Sequence, residues 1–421
     1  MHSITFFSAS RCKPFSFLLP LVACVALSMM LPAQAQTFRV LYSFNGPPDA
    51  QAPHSNLLLD GSGNIYGITF GGGSSYEGTA FKLNSSGKET VLYSFLSGYG
   101  NRPDLVIQDA EGTLYGTTTY GGSYGQGAVF KLDQKENETV LYSFRGAAKS
   151  DGFDPIGVVR DEQGNLYGTT GLGGEAGGCY GYGCGIVFKL DPAGKETVLY
   201  TFKGGADGGY PSGPIVRDAA GNLYGETAYG GDLSCYPPYG CGTVFKLDPA
   251  GKETVFHRFT GTGGDGEHPW AGLVADNKGN LYGATVEGGT GPNCTSAENG
   301  CGTVFKVDRT GKETVLHSFT GSGADFPPNA SLALDEKGNI YGTTPNGGSQ
   351  NCGSGCGAVY MLNPAGKETI LHEFVGGTEG ATPLGGVTLD SAGNIYGTTA
   401  LGGDLACNNG AGCGTVFKLT R

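Results

Sequence analysis

Gly221-Asn222-Leu223-Tyr224-Gly225 is one of seven near copies of a single pentapeptide. The others begin at Gly63, Gly112, Gly164, Gly279, Gly338 and Gly393, and only Thr113 departs from Asn at the second position. The copies recur every ~55 residues, a period that belongs to repeat architectures and must be read before any local feature.

The repeat around Gly221 serves as the template. Gly213–Asp218 is a short apolar run and Asp218–Gly221 a turn. Asn222–Thr227 is a second strand, and Gly242–Leu247 (GTVFKL) is a third. Asp248–Gly251 is another turn, and Lys252–Phe259 is a fourth strand. GTVFKL is apolar on both of its alternating faces except for Lys246, as expected of a strand sandwiched between neighbouring sheets. D-x-x-G and D-P-x-G suit a type I turn closed by a left-handed glycine: Asp caps, Pro presets φ, and Gly accepts φ > 0. Hairpin connections make each repeat a four-stranded antiparallel sheet.

Seven such sheets predict an all-β fold, a seven-bladed β-propeller. The competitor is an open solenoid, and the ends of the chain decide between them. Thr37–Phe44 (TFRVLYSF) matches a fourth strand such as Thr90–Phe95 and precedes the first complete unit. Gly414–Leu419 (GTVFKL) is a third strand followed only by Thr420 and Arg421. The N-terminal strand is therefore expected to complete the last sheet and close the ring. An open solenoid would leave unpaired edges at both ends.

Residues 1–35 stand apart. Arg11 and Lys13 precede apolar Phe15–Leu31, and Ala33-Gln34-Ala35 is an A-x-A cleavage site, so a signal peptide and a mature start at Gln36 are expected. Leu21-Val22-Ala23-Cys24 resembles a lipobox, a variant of the same export reading. Residues 36–421 then form one propeller domain, expected outside the cytoplasm (secreted or periplasmic), monomeric and without a membrane span.

The formal net charge is −12, and loss of Arg11 and Lys13 makes it more negative. An acidic surface argues against nucleic acid and anionic membranes as partners. Cations and neutral ligands remain open. Of 12 cysteines, Cys12 and Cys24 fall in the leader. The rest form five pairs at one place in the repeat: Cys179/Cys184, Cys235/Cys241, Cys294/Cys301, Cys352/Cys356 and Cys407/Cys413. The first two repeats have neither member. Both-or-neither occurrence without accompanying histidines points to local disulfides rather than zinc.

The pattern GN(L/I)YGTT…GG…GxVFKLxxxGKETVLYSF, running over nearly all of Thr37–Arg421, resembles the GloVer repeat of exported bacterial proteins described as choice-of-anchor tandem repeat proteins. The resemblance implies an exported repeat protein of propeller type and no particular activity. Such proteins often carry a C-terminal anchoring segment; this chain stops at its closing strand, so free export is expected.

Strand parity separates two faces. The 1–2 and 3–4 turns are tight and uniform. The other face carries the cysteine loops and the 4–1 connections, and varied loops on a rigid scaffold are where function concentrates. The 4–1 connections bring Asp49, Asp151, Asp207, Asp265, Asp325 and Glu379 three or four residues before a proline, with Tyr99 in the second repeat. Each carboxylate either caps its own loop or joins a ring of Ca²⁺ ligands; a sevenfold feature favours capping. Residues that break the repeat near those prolines are better ligand candidates: Arg102, Phe153, Tyr210, His268, Trp270 and Phe326. Trp270 is the only tryptophan, and an aromatic flanked by polar groups can stack a sugar ring or anchor a peptide. The alternative is ordinary packing over the mouth of the ring.

Catalysis finds little support. His257, His317 and His372 occupy a position held elsewhere by Tyr42, Tyr93, Tyr142 and Tyr200, so it reads as a packing or hydrogen-bonding position. No phosphate loop, nucleophile elbow or zinc motif is present. The leading expectation is a non-enzymatic binding or scaffold propeller for a glycan or protein ligand, with no central titratable cluster. The alternatives are a carbohydrate-active hydrolase or lyase, with acids converging on the channel from different blades, and a purely structural envelope module.

Overall fold

The computed structural model describes residues 36–96, 101–291, 300–328 and 330–421. The expected signal peptide, Tyr99 and Cys294 lie outside them. The described chain is a ring of seven antiparallel sheets. In the template blade the outer strand is Glu253–Arg258, the third is Thr243–Leu247 and the second is Leu223–Tyr229. The inner strand comes in two pieces, Gly209–Pro211 and Val216–Arg217. Thr37–Ser43 pairs antiparallel with Thr415–Thr420, so the first strand completes the last blade as the ends of the sequence predict.

The pentapeptide builds each inner hairpin. Gly221 holds φ +86° and donates its N–H to the Asp218 carbonyl. Asp218 Oδ1 accepts the Asn222 N–H; its Oδ2 accepts the Asn222 amide and the Tyr224 hydroxyl. The same Tyr–Asp bond recurs in all seven blades, at Tyr66, Tyr115, Tyr167, Tyr282, Tyr341 and Tyr396 as well. Burial pushes the Asp218 carboxyl up, but its hydrogen bonds outweigh that and hold it below the ordinary value. Gly225 is glycine for a steric reason: a Cβ there would stand 2.6 Å from the Phe245 ring.

That ring belongs to the core. Third strands are buried on both faces apart from the lysine or methionine and, in the last blade, the terminal Thr420. Each presents an aromatic to the aromatic ending the previous blade's outer strand, as in Phe202–Phe245 at 5.1 Å, edge to face. Seven such pairs, one per seam, run around the ring, including Phe44–Phe81 and Phe374–Phe417 beside the closing blade. Edge-to-face pairs contribute about 0.5–1.5 kcal/mol each beyond area burial.

Two local features differ from the sequence reading. The outer strand carries a bulge: Val244 pairs His257 while Phe245 pairs Val255, leaving Phe256 extra. The shift adds local twist. The inner strand also starts earlier than Gly213, because its first piece, Gly209–Pro211, contains the residue before the repeated proline.

Candidate functional site

That residue has an unusual backbone. Ala52, Arg102, Asp154, Tyr210, His268 and Thr382 each precede a proline and hold φ between 52° and 60°. Left-handed backbone costs a side-chain-bearing residue free energy and persists where its surroundings over-determine it. The surroundings here are the neighbouring blade. Tyr210 N–H donates to the Cys184 carbonyl at 2.9 Å, and His268 N–H to the Cys241 carbonyl at 3.0 Å. The following proline packs on a glycine of the same neighbour, Pro211 on Gly185 and Pro269 on Gly242. This clasp locks each inner strand to the preceding blade and fixes where the next side chain points.

The side chain after the proline lines the central channel. His54, Asp104, Ile156, Ser212, Trp270 and Leu384, one from each of six blades, surround a cavity of about 260 Å³. No two of them are the same residue, although the clasp beneath them repeats. Trp270 remains 38 % exposed. The Tyr210 ring stacks beside it at 5.7 Å with planes 22° apart, and Ser212 Oγ donates to the Pro269 carbonyl at 2.6 Å.

Behind the stack lies an acid. Tyr210 is hydrogen-bonded to Asp154, whose carboxyl is pushed up to about 6, first by burial and then by the neighbouring Asp104 charge. Burial and the Asp154 charge push the Tyr210 hydroxyl up to about 12. His54 stacks on Phe70, and burial pushes its pKa down to about 3, so its ring stays neutral. The channel is thus not lined by apolar or small groups alone, contrary to the expectation of no central titratable cluster.

The aromatic surface continues outward over the cysteine loop of the fourth blade. His268 sits edge-on between Tyr229 and Tyr236, with ring centroids 5.4 and 5.1 Å away. Its Nδ1 lies 3.2 Å from Glu287 Oε2 and 4.0 Å from Glu267 Oε1. Glu267, His268 and Glu287 bring ligand atoms within 4.8 Å of one another and have the donor types of a cation site. On the other side, the Arg102 guanidinium lies over the Tyr120 ring at 5.7 Å, and Phe153 lies 6.2 Å from Tyr120. Five of the six candidate residues therefore join one band across neighbouring blades. Phe326 does not; it packs on Gly347 of its own blade.

The repeated acids sit elsewhere. Asp49 accepts the Tyr42 hydroxyl and the N–H groups of Asn45 and Ala50. Asp151 does the same with Tyr142, Arg145 and Gly152, and Asp207 with Tyr200 and Lys203. Asp265, Asp325 and Glu379 face His257, His317 and His372. Each is tied to an outer strand and, Glu379 apart, caps its own loop, so the six do not converge on the channel.

Cys179–Cys184, Cys235–Cys241, Cys352–Cys356 and Cys407–Cys413 are closed disulfides on the loop face. Cys301 is disulfide-bonded too; Cys294, its expected mate, falls outside the described residues. Among the described residues no helix is long and apolar enough to cross a membrane.

The Gloeobacter/Verrucomicrobia repeat profile matches residues 27–237 and 234–421. The chain belongs to that repeat family. No curated protein matches this family member's sequence. Solved structures resemble it in fold. Virginiamycin B lyase from Staphylococcus aureus superposes with a TM-score of 0.60 at 12 % identity, covering 92 % of this chain and 99 % of that one. The extracellular domain of a hybrid two-component system from B. thetaiotaomicron gives 0.55 at 16 % identity, covering 91 % of this chain and 41 % of that one. That of a one-component system from the same organism gives 0.54 at 11 %, covering 89 % and 40 %. Identities this low establish a shared architecture, and the site must be argued from this chain's own residues.

One more residue escaped the sequence reading. Glu226 stands where four other repeats have Thr117, Thr169, Thr343 and Thr398. It is fully buried behind the channel wall, and its Oε1 accepts the Gly272 N–H at 2.6 Å. Burial pushes its carboxyl up to about 8.

Proposed function

We propose that this repeat-family chain is an exported binding propeller that recognises a glycan at its channel mouth, on the face that carries the disulfides. The observation that carries the reading is the Tyr210–Trp270 stack beside Asp154 and Ser212. A flat, half-exposed aromatic wall accepts the apolar face of a sugar ring, while carboxylate, hydroxyl and backbone groups at its edge take up sugar hydroxyls. The net negative charge favours a neutral glycan over an acidic one. Export after cleavage at Ala35, to the cell exterior or the periplasm, fits four closed disulfides, which persist in oxidising compartments. A glycan array tests the reading: the protein should retain a defined set of neutral glycans, and Trp270→Ala should lose them. Equal binding by the variant would remove Trp270 from the site.

A second reading, carbohydrate-active chemistry, draws on the paired carboxyls Asp104 and Asp154. An acid whose pKa is pushed up to about 6 beside a second carboxyl is suited to proton donation. It requires reducing-sugar release from array-positive glycans that Asp154→Asn abolishes. Binding without turnover returns the site to recognition alone.

A further inference from the structure

Five of the seams between blades carry three side chains from three places in the repeat. The first is the Tyr or His of one outer strand, the second is the acid of the following loop, and the third is the Glu that opens the next outer strand. Where the first is tyrosine (Tyr42, Tyr142, Tyr200) its hydroxyl donates to the acid, as Tyr142 does to Asp151 at 2.9 Å, and no imidazole is present to ligate a metal. Histidine replaces it at three adjacent seams. At two of these a nitrogen and two carboxylates converge: His257, Asp265 and Glu313, and again His317, Asp325 and Glu368, each set within 4.8 Å.

We propose that these two sets are divalent transition-metal sites of the Zn²⁺ class that tie the fourth blade to the fifth and the fifth to the sixth at the outer rim. Imidazole with carboxylate oxygens is a donor set suited to such ions. With metal–ligand bonds of 2.0–2.2 Å, neighbouring donors of a tetrahedral ion stand about 3.4 Å apart. His257 Nε2 lies 3.6 Å from Asp265 Oδ1, and His317 Nε2 lies 3.0 Å from Asp325 Oδ1. The glutamate needs only to swing inward.

Two further observations point to a ligand. His257 Nε2, Glu313 Oε1 and Glu368 Oε1 are buried polar atoms without a hydrogen-bond partner; the same glutamate oxygen is spare at the tyrosine seams (Glu89, Glu196 and Glu253), and only where histidine faces it does a nitrogen complete a donor set. Buried polar atoms are normally satisfied, and an ion shared among them removes the deficit. The acids are also held in place from behind: Asp265 Oδ2 accepts the Thr260 N–H and hydroxyl at 2.8 Å, and Asp325 Oδ2 accepts the Thr320 N–H at 3.0 Å. Such outer contacts orient ligands in metal sites.

The third histidine seam is an internal control. There Glu379 replaces the aspartate, and Phe38 of the closing strand stands where the other repeats have glutamate, stacked on His372 at 4.0 Å. The third ligand is missing, so no site forms.

The test titrates Zn²⁺ into the purified, chelator-treated full chain by calorimetry, with metal content checked by elemental analysis. The variants are His257→Tyr, His317→Tyr, their double and His372→Tyr. Tyrosine occupies this position in four other repeats, so the fold tolerates it, and a thermal melt without metal verifies this. Each of the first two variants should lose one equivalent of zinc, the double two, and His372→Tyr none. Zinc should raise the melting temperature of the wild type more than that of the double variant. A wild type that binds no zinc, or a double variant that binds as much as the wild type, overturns the proposal and leaves hydrogen-bonded seams only.

Discussion

Replacing Glu226 by glutamine should stabilise the propeller, and by more as the pH rises. The carboxyl is fully buried and held by one N–H, so the folded state favours its protonated form, with a pKa near 8 against an ordinary 4.5. The sign follows from proton counting. Between those values the folded protein keeps a proton that the unfolded chain releases, so stability is fully present below pH 4.5 and is lost as the pH rises through 8. At 1.36 kcal/mol per pKa unit, the loss is about 1 kcal/mol at pH 5 and about 4 kcal/mol at pH 8. Glutamine matches the shape, keeps an acceptor for the Gly272 N–H and does not titrate. Urea denaturation of wild type and Glu226→Gln at pH 5 and pH 8 measures the effect. Every other titrating group is common to both proteins and cancels in the comparison. The gap between them should widen by about 3 kcal/mol between the two pH values. A constant gap would refute the claim that this carboxyl is buried in its protonated form.

Three further outcomes follow from the fold. Gly225→Ala should cost about 1–3 kcal/mol by overpacking, because its Cβ would press on the Phe245 ring; a chemical denaturation curve reads the loss, and an unchanged midpoint would show a looser core. Removing Cys179–Cys184 by double alanine substitution should cost about 2 kcal/mol, the loop-closure value for so short a loop, and reductant should then have correspondingly less effect on the melt. Deleting Thr37–Ser43 should expose the edge of Thr415–Thr420 and lower the melting temperature while promoting self-association, seen by light scattering; an unchanged melt would mean that closure adds no stability.

The architecture was legible in the sequence because every level of the repeat agrees. The D-x-x-G turn and the alternating third strand each state the same geometry seven times, and the split last blade states that the ring closes. The outer-strand bulge was not legible: Thr254-Val255-Phe256-His257 reads as plain alternation, and nothing in it marks Phe256 as extra. The start of the inner strand is hidden in the sequence because its first piece contains a left-handed residue and a proline, which read as loop. At the site, Trp270, Tyr210 and His268 stood out as breaks in a repeat. His54 and Asp104 did not, being ordinary residues one at a time. Their signal is columnar: the residue after the repeated proline differs in all six blades that line the channel. Glu226 carried a signal of the same kind, an acid in a threonine column. Phe326 shows the opposite error, a break in the pattern that serves its own blade.

The binding claim rests on one side chain that can be watched directly. Trp270 is the chain's only tryptophan, so its emission reports the channel mouth and nothing else. Titrating an array-positive neutral glycan into the protein should shift or quench that emission saturably, with the affinity that calorimetry gives for the same glycan. Calorimetric binding that leaves the emission unchanged would place the ligand elsewhere and contradict the account.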